Sequence, residues 1–454
     1  MSPKNDQRLV IIGGDAAGMS AASQARRMRP DLRITAFEEG PYTSYGACGM
    51  PYYVEGLIEK PEDLVARTPE VFQKKYNIDA HVLHRVEQID LKMKAVLVRN
   101  LQLDKTFWEE YDQLLIATGA LPIWPKLPGI EAEGIHSLSI IPDSVKIRQD
   151  IETGSLKRAV VVGGGYIGLE MAEALLARGL EVSLVELLPQ VMATLDGDMA
   201  EFVAEALQEM GVILYLDEGV ESFEVTDGRV TGVKTAKRLL AADLVILGMG
   251  IRPNVKLAQK AGVPLGETGA IAVDDHMKAQ IPGVWAAGDC VESLHLVSGK
   301  KVFIALGTVA NKQGRIAGTN LGGGGARFPG VVGTAITKVG ETEVARTGLS
   351  VREAEKLGLD FATAFIRART KAGYYPGTGP MAVKVVAEKG SARFLGGQIV
   401  GAPGAGKRID VLATALHAGL KVSEMLYLDL AYAPPFSPVW DPLLVALRQV
   451  AGKL

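Results

Sequence analysis

The chain has 454 residues, 48% hydrophobic and 22% charged, and its 49 basic and 52 acidic side chains leave a formal charge of −3. That is the makeup of a globular protein long enough for about three domains, with no global field to draw nucleic acid or an anionic membrane. Only two cysteines, Cys48 and Cys290, exclude a disulfide scaffold and fit a reducing compartment.

The opening MSPKNDQR is too polar for a secretory signal, and no apolar stretch reaches the ~18 residues a membrane helix needs, so a cytoplasmic location is expected. Leu9 to Ile12 then read as a buried strand, running into the turn Gly13-Gly14-Asp15-Ala16-Ala17-Gly18 and a helical stretch rich in Ala, Met and Arg. A strand, a glycine turn and a helix N-terminus make a pyrophosphate site from free N–H groups and the helix dipole. A second strand, Ile34 to Phe37, ends at Glu38, 20 residues past Gly18 and near the ~20 expected of an acid that holds ribose hydroxyls. Asp15 replaces the middle glycine, so this loop is atypical.

Next comes Ser44-Tyr45-Gly46-Ala47-Cys48-Gly49-Met50-Pro51. A cysteine in a glycine-rich first helical turn can have its thiolate stabilised by the helix N-terminus, which can bring its pKa from ~8.5 into the ~3.5–7.5 range. A small buried hydrophobe is an equal reading from position alone. Ser44, four residues earlier, is expected one helical turn away with its hydroxyl in reach of the sulfur. Residues 64–118 alternate like strands and end in Tyr111 to Gly119, including Ala117-Thr118-Gly119. His81 and His84 are expected to point to opposite faces of one strand, which disfavours a shared metal, and no metal is expected.

The first grammar recurs 150 residues later: Ala159 to Val162, then Gly163-Gly164-Gly165-Tyr166-Ile167-Gly168 and a helical LEMAEALLARG. Val182 to Val185 ends at Glu186, 18 residues past Gly168. This copy is complete. Leu187 and Leu188 follow Glu186 where arginines would receive a 2′-phosphate, so NADH is expected over NADPH. Ala242 to Gly250 closes the unit as 111–119 closes the first, and Val284-Trp285-Ala286-Ala287-Gly288-Asp289 adds a strand ending in Gly-Asp. Cys290 reads as packing. The run Leu321 to Gly325 reads as a boundary, and 326–454 as a separate α+β unit. Within it Gly401 to Lys407 matches a P-loop, but Arg408 stands where a magnesium-binding Ser or Thr is required.

Taken in order, GGDAAG, SYGAC, ATGA, GGGYIGLE, GMGIRPN, AAGDC, YYPG, KRID and YAPPF resemble the FAD-dependent pyridine nucleotide-disulfide oxidoreductases, specifically the single-cysteine branch of coenzyme A disulfide reductase, NADH oxidase and NADH peroxidase. The resemblance implies two doubly wound, Rossmann-like α/β dinucleotide-binding domains and a C-terminal α+β dimerisation domain. The divisions are 1–120 with 251–325 for FAD, 121–250 for NAD(H), and 326–454 for the interface of a homodimer. It implies FAD on Gly13, Asp15, Ala17, Gly18, Glu38, Ala117, Thr118, Gly119, Gly288 and Asp289. NADH falls on Gly163, Gly165, Tyr166, Ile167, Gly168, Glu186 and Gly250, with Tyr166 as the aromatic that gates the nicotinamide.

Tyr53 stands where disulfide-holding relatives have a second cysteine, so Cys48 must cycle against an external sulfur or as a sulfenic acid. The implied activity is reduction of coenzyme A disulfide through a Cys48–coenzyme A mixed disulfide. Gln24 and Arg27 match positions that contact the coenzyme A nucleotide end, and a guanidinium suits phosphate. Tyr374 and Tyr432 match tyrosines placed over the partner's sulfur, as catalytic phenols; Phe436 lacks a hydroxyl. Two alternatives stand beside this: a water- or peroxide-forming NADH oxidase, against which Ala16 replaces the usual histidine, and an NADH-dependent persulfide or polysulfide reductase.

Overall fold

Each strand–glycine–helix unit nucleates its own parallel sheet in the computed structural model, which describes residues 7–454; Met1 to Asp6, most of the polar opening read above, lie outside it. The first sheet runs Val284–Ala286, Gln113–Ile116, Arg8–Ile12, Arg33–Phe37, Asp79–His81. Its central strand pairs Leu9 with Ile34 on one side and with Gln113 on the other. Strands buried on both faces must be apolar throughout, which is why these read as unbroken hydrophobic runs.

The crossover helix Ala16–Met28 covers this sheet and packs on Gly307–Leu321. The two helices meet almost backbone to backbone: a Cβ on Gly314 would lie 2.2 Å from the Ala17 carbonyl oxygen, and one on Gly318 2.3 Å from that of Ala21. The second sheet repeats the pattern in the order Ile213–Tyr215, Glu181–Val185, Arg158–Val162, Leu244–Leu247, Ile135–His136. A short antiparallel ribbon, Ala120–Pro122 against Ile251–Pro253, is where the chain leaves the first sheet and returns to it.

The C-terminal unit is a five-stranded antiparallel sheet, Ala335–Val339, Thr342–Gly348, Phe394–Gly401, Pro380–Glu388, Phe361–Arg369. Helices Ile409–Ala418 and Pro442–Ala451 bury their apolar faces on it, around Val383, Val385, Ile399 and Leu412. The fold is thus α/β, with two Rossmann-like parallel sheets and an α+β unit. No helix among the described residues is long and apolar enough to cross a membrane.

The histidine expectation is corrected. His81 ends one strand and His84 begins another, so strand alternation does not apply, and their rings lie side by side with centroids 5.3 Å apart. In the P-loop-like segment the Glu343 carboxylate accepts the N–H groups of Gly404 and Gly406 at 3.1 and 2.6 Å, occupying the amides a phosphate would need. Arg408 there is paired to Asp441 at 3.0 Å.

Candidate active site

The two glycine turns are built alike. Gly13 and Gly163 sit at φ +108° and +105°, where a side chain is strained, and a Cβ would strike the Ala117 oxygen at 2.1 Å or the Gly248 oxygen at 2.4 Å. Glu38 accepts the N–H groups of Gly14 and Gly40, both at 2.7 Å. Glu186 accepts those of Gly164 at 2.6 Å and Leu188 at 2.8 Å. Each carboxylate oxygen keeps a lone pair for a ribose hydroxyl.

Both turns open on one continuous cleft of about 2740 Å³, large enough for two dinucleotides side by side. On the first-sheet side it is lined by Gly13, Asp15, Glu38, Ala117, Thr118, Gly119 and Asp289. On the second-sheet side Gly163, Gly165, Tyr166, Ile167, Glu186 and Gly250 line it. Asp289 Oδ1 is buried with no hydrogen-bond partner among the described residues, an acceptor of the kind a flavin ribityl hydroxyl would satisfy. Burial pushes the Asp289 carboxyl up to about 6. The residues present therefore fit FAD at the first turn.

Ala17, Gly18, Gly168 and Gly288 were expected at the cofactors but do not line the cleft; they pack behind it. Gly18 and Gly168 let their helices close on the Gly13 and Gly163 carbonyls, and the Gly288 N–H donates to Gln313 at 2.9 Å.

Cys48 lies between the two halves, exposed, in the 3₁₀ turn Ala47–Gly49 that leads into the helix Met50–Glu55. Its thiol is pushed up rather than down: desolvation dominates, and the carboxylates of Glu170, Asp289 and Asp15 add to it. A six-residue helix preceded by a 3₁₀ turn does not outweigh these. The Ser44 expectation is also corrected: Ser44 sits at φ +50° in a loop, no helical turn joins it to Cys48, and it does not line the cleft. Its N–H donates to the Gly14 oxygen at 2.9 Å and its carbonyl accepts from Ala66 at 2.8 Å.

The loop that carries Cys48 is tied down from two sides. Asp15 Oδ1 accepts the Tyr45 N–H at 3.0 Å. Arg148, from the helix Ile141–Glu152, donates to the carbonyls of Tyr53, Ile58 and Glu59 at 3.1 Å each and stacks 4.6 Å over the Tyr53 ring. Cys290, fully buried, donates weakly to the Ile116 and Ala287 carbonyls at 3.5 and 3.4 Å, and burial pushes its thiol up to about 11.

Gln24 and Arg27 lie outside the cleft on the first crossover helix, Gln24 at its packing with Gly307–Leu321 and Arg27 exposed. Gln24 donates to Thr319 at 3.1 Å and accepts from Arg27 at 3.3 Å. Tyr374 and Tyr432 also stand away from their own chain's cleft, on the C-terminal surface, and Tyr374 is 77% exposed. The Tyr374 phenol raises that of Tyr432.

Sequence reasoning missed Glu170, a cleft-lining carboxylate that accepts from Thr337 of the C-terminal sheet at 3.0 Å. Its position, one helical turn after Tyr166, was a readable signal. Thr194, Arg148 and Arg346 were missed without any such signal.

Residues 7–314 match the family model described as pyridine nucleotide-disulphide oxidoreductase, and residues 334–442 its dimerisation domain. The chain is 43% identical to the NAD(P)H sulfur oxidoreductase (CoA-dependent) of Pyrococcus furiosus, over 97% of this chain and 98% of that protein. It is 31% identical to the coenzyme A disulfide reductase of Staphylococcus haemolyticus, over 95% and 96%. The solved NAD-dependent persulfide reductase of A. fulgidus superposes with a TM-score of 0.95 at 41% identity, covering 98% of this chain and 83% of that one.

Proposed function

Since the chain belongs to the pyridine nucleotide-disulphide oxidoreductase family, we propose that it reduces coenzyme A disulfide or related small disulfides with NADH, through FAD and Cys48. The observation that carries this reading is the placement of one exposed cysteine where the two halves of a shared cleft meet, with Tyr53 rather than a second thiol nearby. Gly13, Asp15, Glu38, Thr118 and Asp289 would hold FAD, which when bound would supply the hydride acceptor and the electron pair for sulfur.

The chain's own chemistry is thiol exchange. The Cys48 thiolate attacks one sulfur of the disulfide, the S–S bond breaks, and one coenzyme A thiolate leaves and takes a proton. Cys48 is then held as a mixed disulfide, and delivery of an electron pair returns it to the thiolate with the second coenzyme A released. One NADH and one proton are consumed for two thiols formed. Asp15 and Arg148 keep the sulfur in place, and Glu186 and Tyr166 orient the nicotinamide nucleotide.

We read the chain as a cytoplasmic homodimer divided at 1–120 with 251–325, 121–250 and 326–454. Its matched dimerisation domain and its exposed Tyr374 and Tyr432 support a site completed by the partner. Gln24 and Arg27 are assigned to the coenzyme A nucleotide end, outside the cleft where a substrate tail emerges.

A second reading, persulfide or polysulfide as acceptor, is favoured by the names of the P. furiosus and A. fulgidus relatives and uses the same exchange at Cys48. Anaerobic NADH consumption with and without coenzyme A disulfide, for wild type and Cys48→Ser, is the test. A disulfide-dependent rate lost in the variant supports the first reading. A rate with polysulfide only moves the assignment to the second, and one that needs air points to an oxidase.

A further inference from the structure

The loop 191–196 has two neighbours with different jobs. On one side it touches the nicotinamide half of the cleft: the Met192 N–H donates to the Gly164 oxygen at 2.8 Å, inside the second glycine turn. Thr194 lines the cleft together with Tyr166, and its side chain acts on the Tyr166 phenol, opposing the burial that raises it. On the other side the loop is gripped by the C-terminal sheet unit. Gln398 accepts the Asp196 N–H at 2.8 Å and donates to its carboxylate at 2.7 Å, while Lys384 pairs with Asp196 and Asp198 at 3.2 and 2.8 Å.

One member of this grip reaches Thr194 itself. Arg346, on the strand Thr342–Gly348, is 8% exposed, and its Nη1 donates to the Thr194 carbonyl at 2.7 Å. Its Nη2 donates to the Gly348 carbonyl at 2.6 Å and to Glu353 at 2.8 Å. A buried guanidinium whose two terminal nitrogens each hold two acceptors is restrained, so the carbonyl it holds is held firmly. Asp196, two residues on, is anchored independently and would keep the interface together without it.

We propose that Arg346 is a positioning residue for hydride delivery: it fixes Thr194, and through Thr194 the ring of Tyr166, so that the C-terminal unit governs how the reduced nicotinamide nucleotide seats in the cleft. This rests on the reading that the second glycine turn takes NADH. The chain Arg346–Thr194–Tyr166 ends in the nicotinamide half; it meets the Cys48 half only where the helix that starts at Tyr166 packs on Met50–Glu55, and among the described residues neither Arg346 nor Thr194 hydrogen-bonds to the Cys48 loop. Its loss therefore slows one half of the catalytic cycle and spares the other.

The test is rapid mixing of the FAD-loaded enzyme. NADH is mixed with oxidised enzyme in one arm, following loss of flavin colour, and coenzyme A disulfide with pre-reduced enzyme in the other. Arg346→Gln is expected to raise the half-saturating NADH concentration or slow the limiting rate about tenfold. The disulfide arm stays within about twofold, and Arg346→Lys recovers part of the loss.

Thr194→Val, which keeps the backbone carbonyl, should reproduce the NADH-arm defect without threatening the fold. In a Tyr166→Phe background Arg346→Gln should cost markedly less, because the link is already cut. Lys384→Met, at the same interface but off this chain, should lower the melting temperature without splitting the two arms.

Equal loss in both arms, full additivity with Tyr166→Phe, or an unchanged NADH arm overturns the proposal. If NADH fails to bleach the wild-type flavin, the reading of the second turn falls and this proposal with it; normal bleaching with an indifferent Arg346→Gln removes this proposal alone.

Discussion

Asp15 and Tyr45 are joined across the floor of the site: Asp15 Oδ1 accepts the Tyr45 backbone N–H at 3.0 Å. The residue that makes the first glycine turn atypical thus fastens the loop that carries Cys48, three residues beyond Tyr45. The tie has an electrostatic cost, since burial, opposed in part by the Tyr45 N–H and aided by Glu38 and Asp289, pushes the Asp15 carboxyl up to about 7.

An acid whose folded pKa is raised favours the protonated fold, so its contribution to stability is present below the ordinary carboxylate range and lost as pH rises through about 7. The Asp15 contribution is expected to be lost between about pH 4 and pH 7. Asp15→Asn, whose amide oxygen still accepts from Tyr45, should flatten that dependence and raise the melting midpoint at pH 8 by about 2–5 °C. Thermal unfolding across pH checks it; an identical slope in the variant contradicts the assignment.

Cys48→Ser should abolish disulfide-dependent turnover, by on the order of 10³-fold or more, as removal of a nucleophile does. Cys290→Ser, which touches only buried backbone carbonyls, should keep that turnover while lowering stability by about 1 kcal/mol. Steady-state assays and melting curves separate the two.

The Cys48 thiol, raised mainly by desolvation and next by Glu170, should alkylate with a midpoint above the usual thiol range. Glu170→Gln removes the charge that contributes most to that rise and should lower the midpoint. Iodoacetamide rates against pH give the answer, and a midpoint that does not move would remove Glu170 from the sulfur's surroundings.

Arg148→Ala withdraws three carbonyl partners from the end of the helix that follows Cys48. Stability should fall by about 1–3 kcal/mol, the cost of leaving such groups unpaired. The reaction of reduced enzyme with disulfide should slow more than its reduction by NADH. A melting shift with both rates intact would make Arg148 a purely structural brace.

Glu186 accepts from Gly164 and Leu188, and in the proposed NADH site its carboxylate would oppose a 2′-phosphate. Glu186→Ala should raise the KM for NADH about tenfold and narrow the preference for NADH over NADPH. Initial rates with both nucleotides measure this; an unchanged preference would show that another group discriminates.

Short-range sequence features determined the fold class and the two glycine turns that line the cleft. Strand, turn, helix and distal acid are local signals, and Gly13 and Gly163 require glycine whatever surrounds them. The lone Cys48, with Tyr53 at the place of a partner, was equally legible. What the tertiary structure alone decided concerns groups far apart in the chain. Ser44 looked one helical turn from Cys48, but the backbone between them is a loop at positive φ. The thiol looked stabilised by a helix end, but a pKa is set by everything packed around the sulfur, and Glu170, Asp289 and Asp15 come from three separate segments. Gln24 and Arg27 looked like cleft residues, but packing on Gly307–Leu321 ties Gln24 to Thr319 and both lie outside the cleft lining. Arg346 and Thr194 lie 152 residues apart, and no periodicity links them. Periodicity reports which face of an element is buried; it is silent on which distant element supplies the partner, and desolvation and long-range hydrogen bonds depend on that.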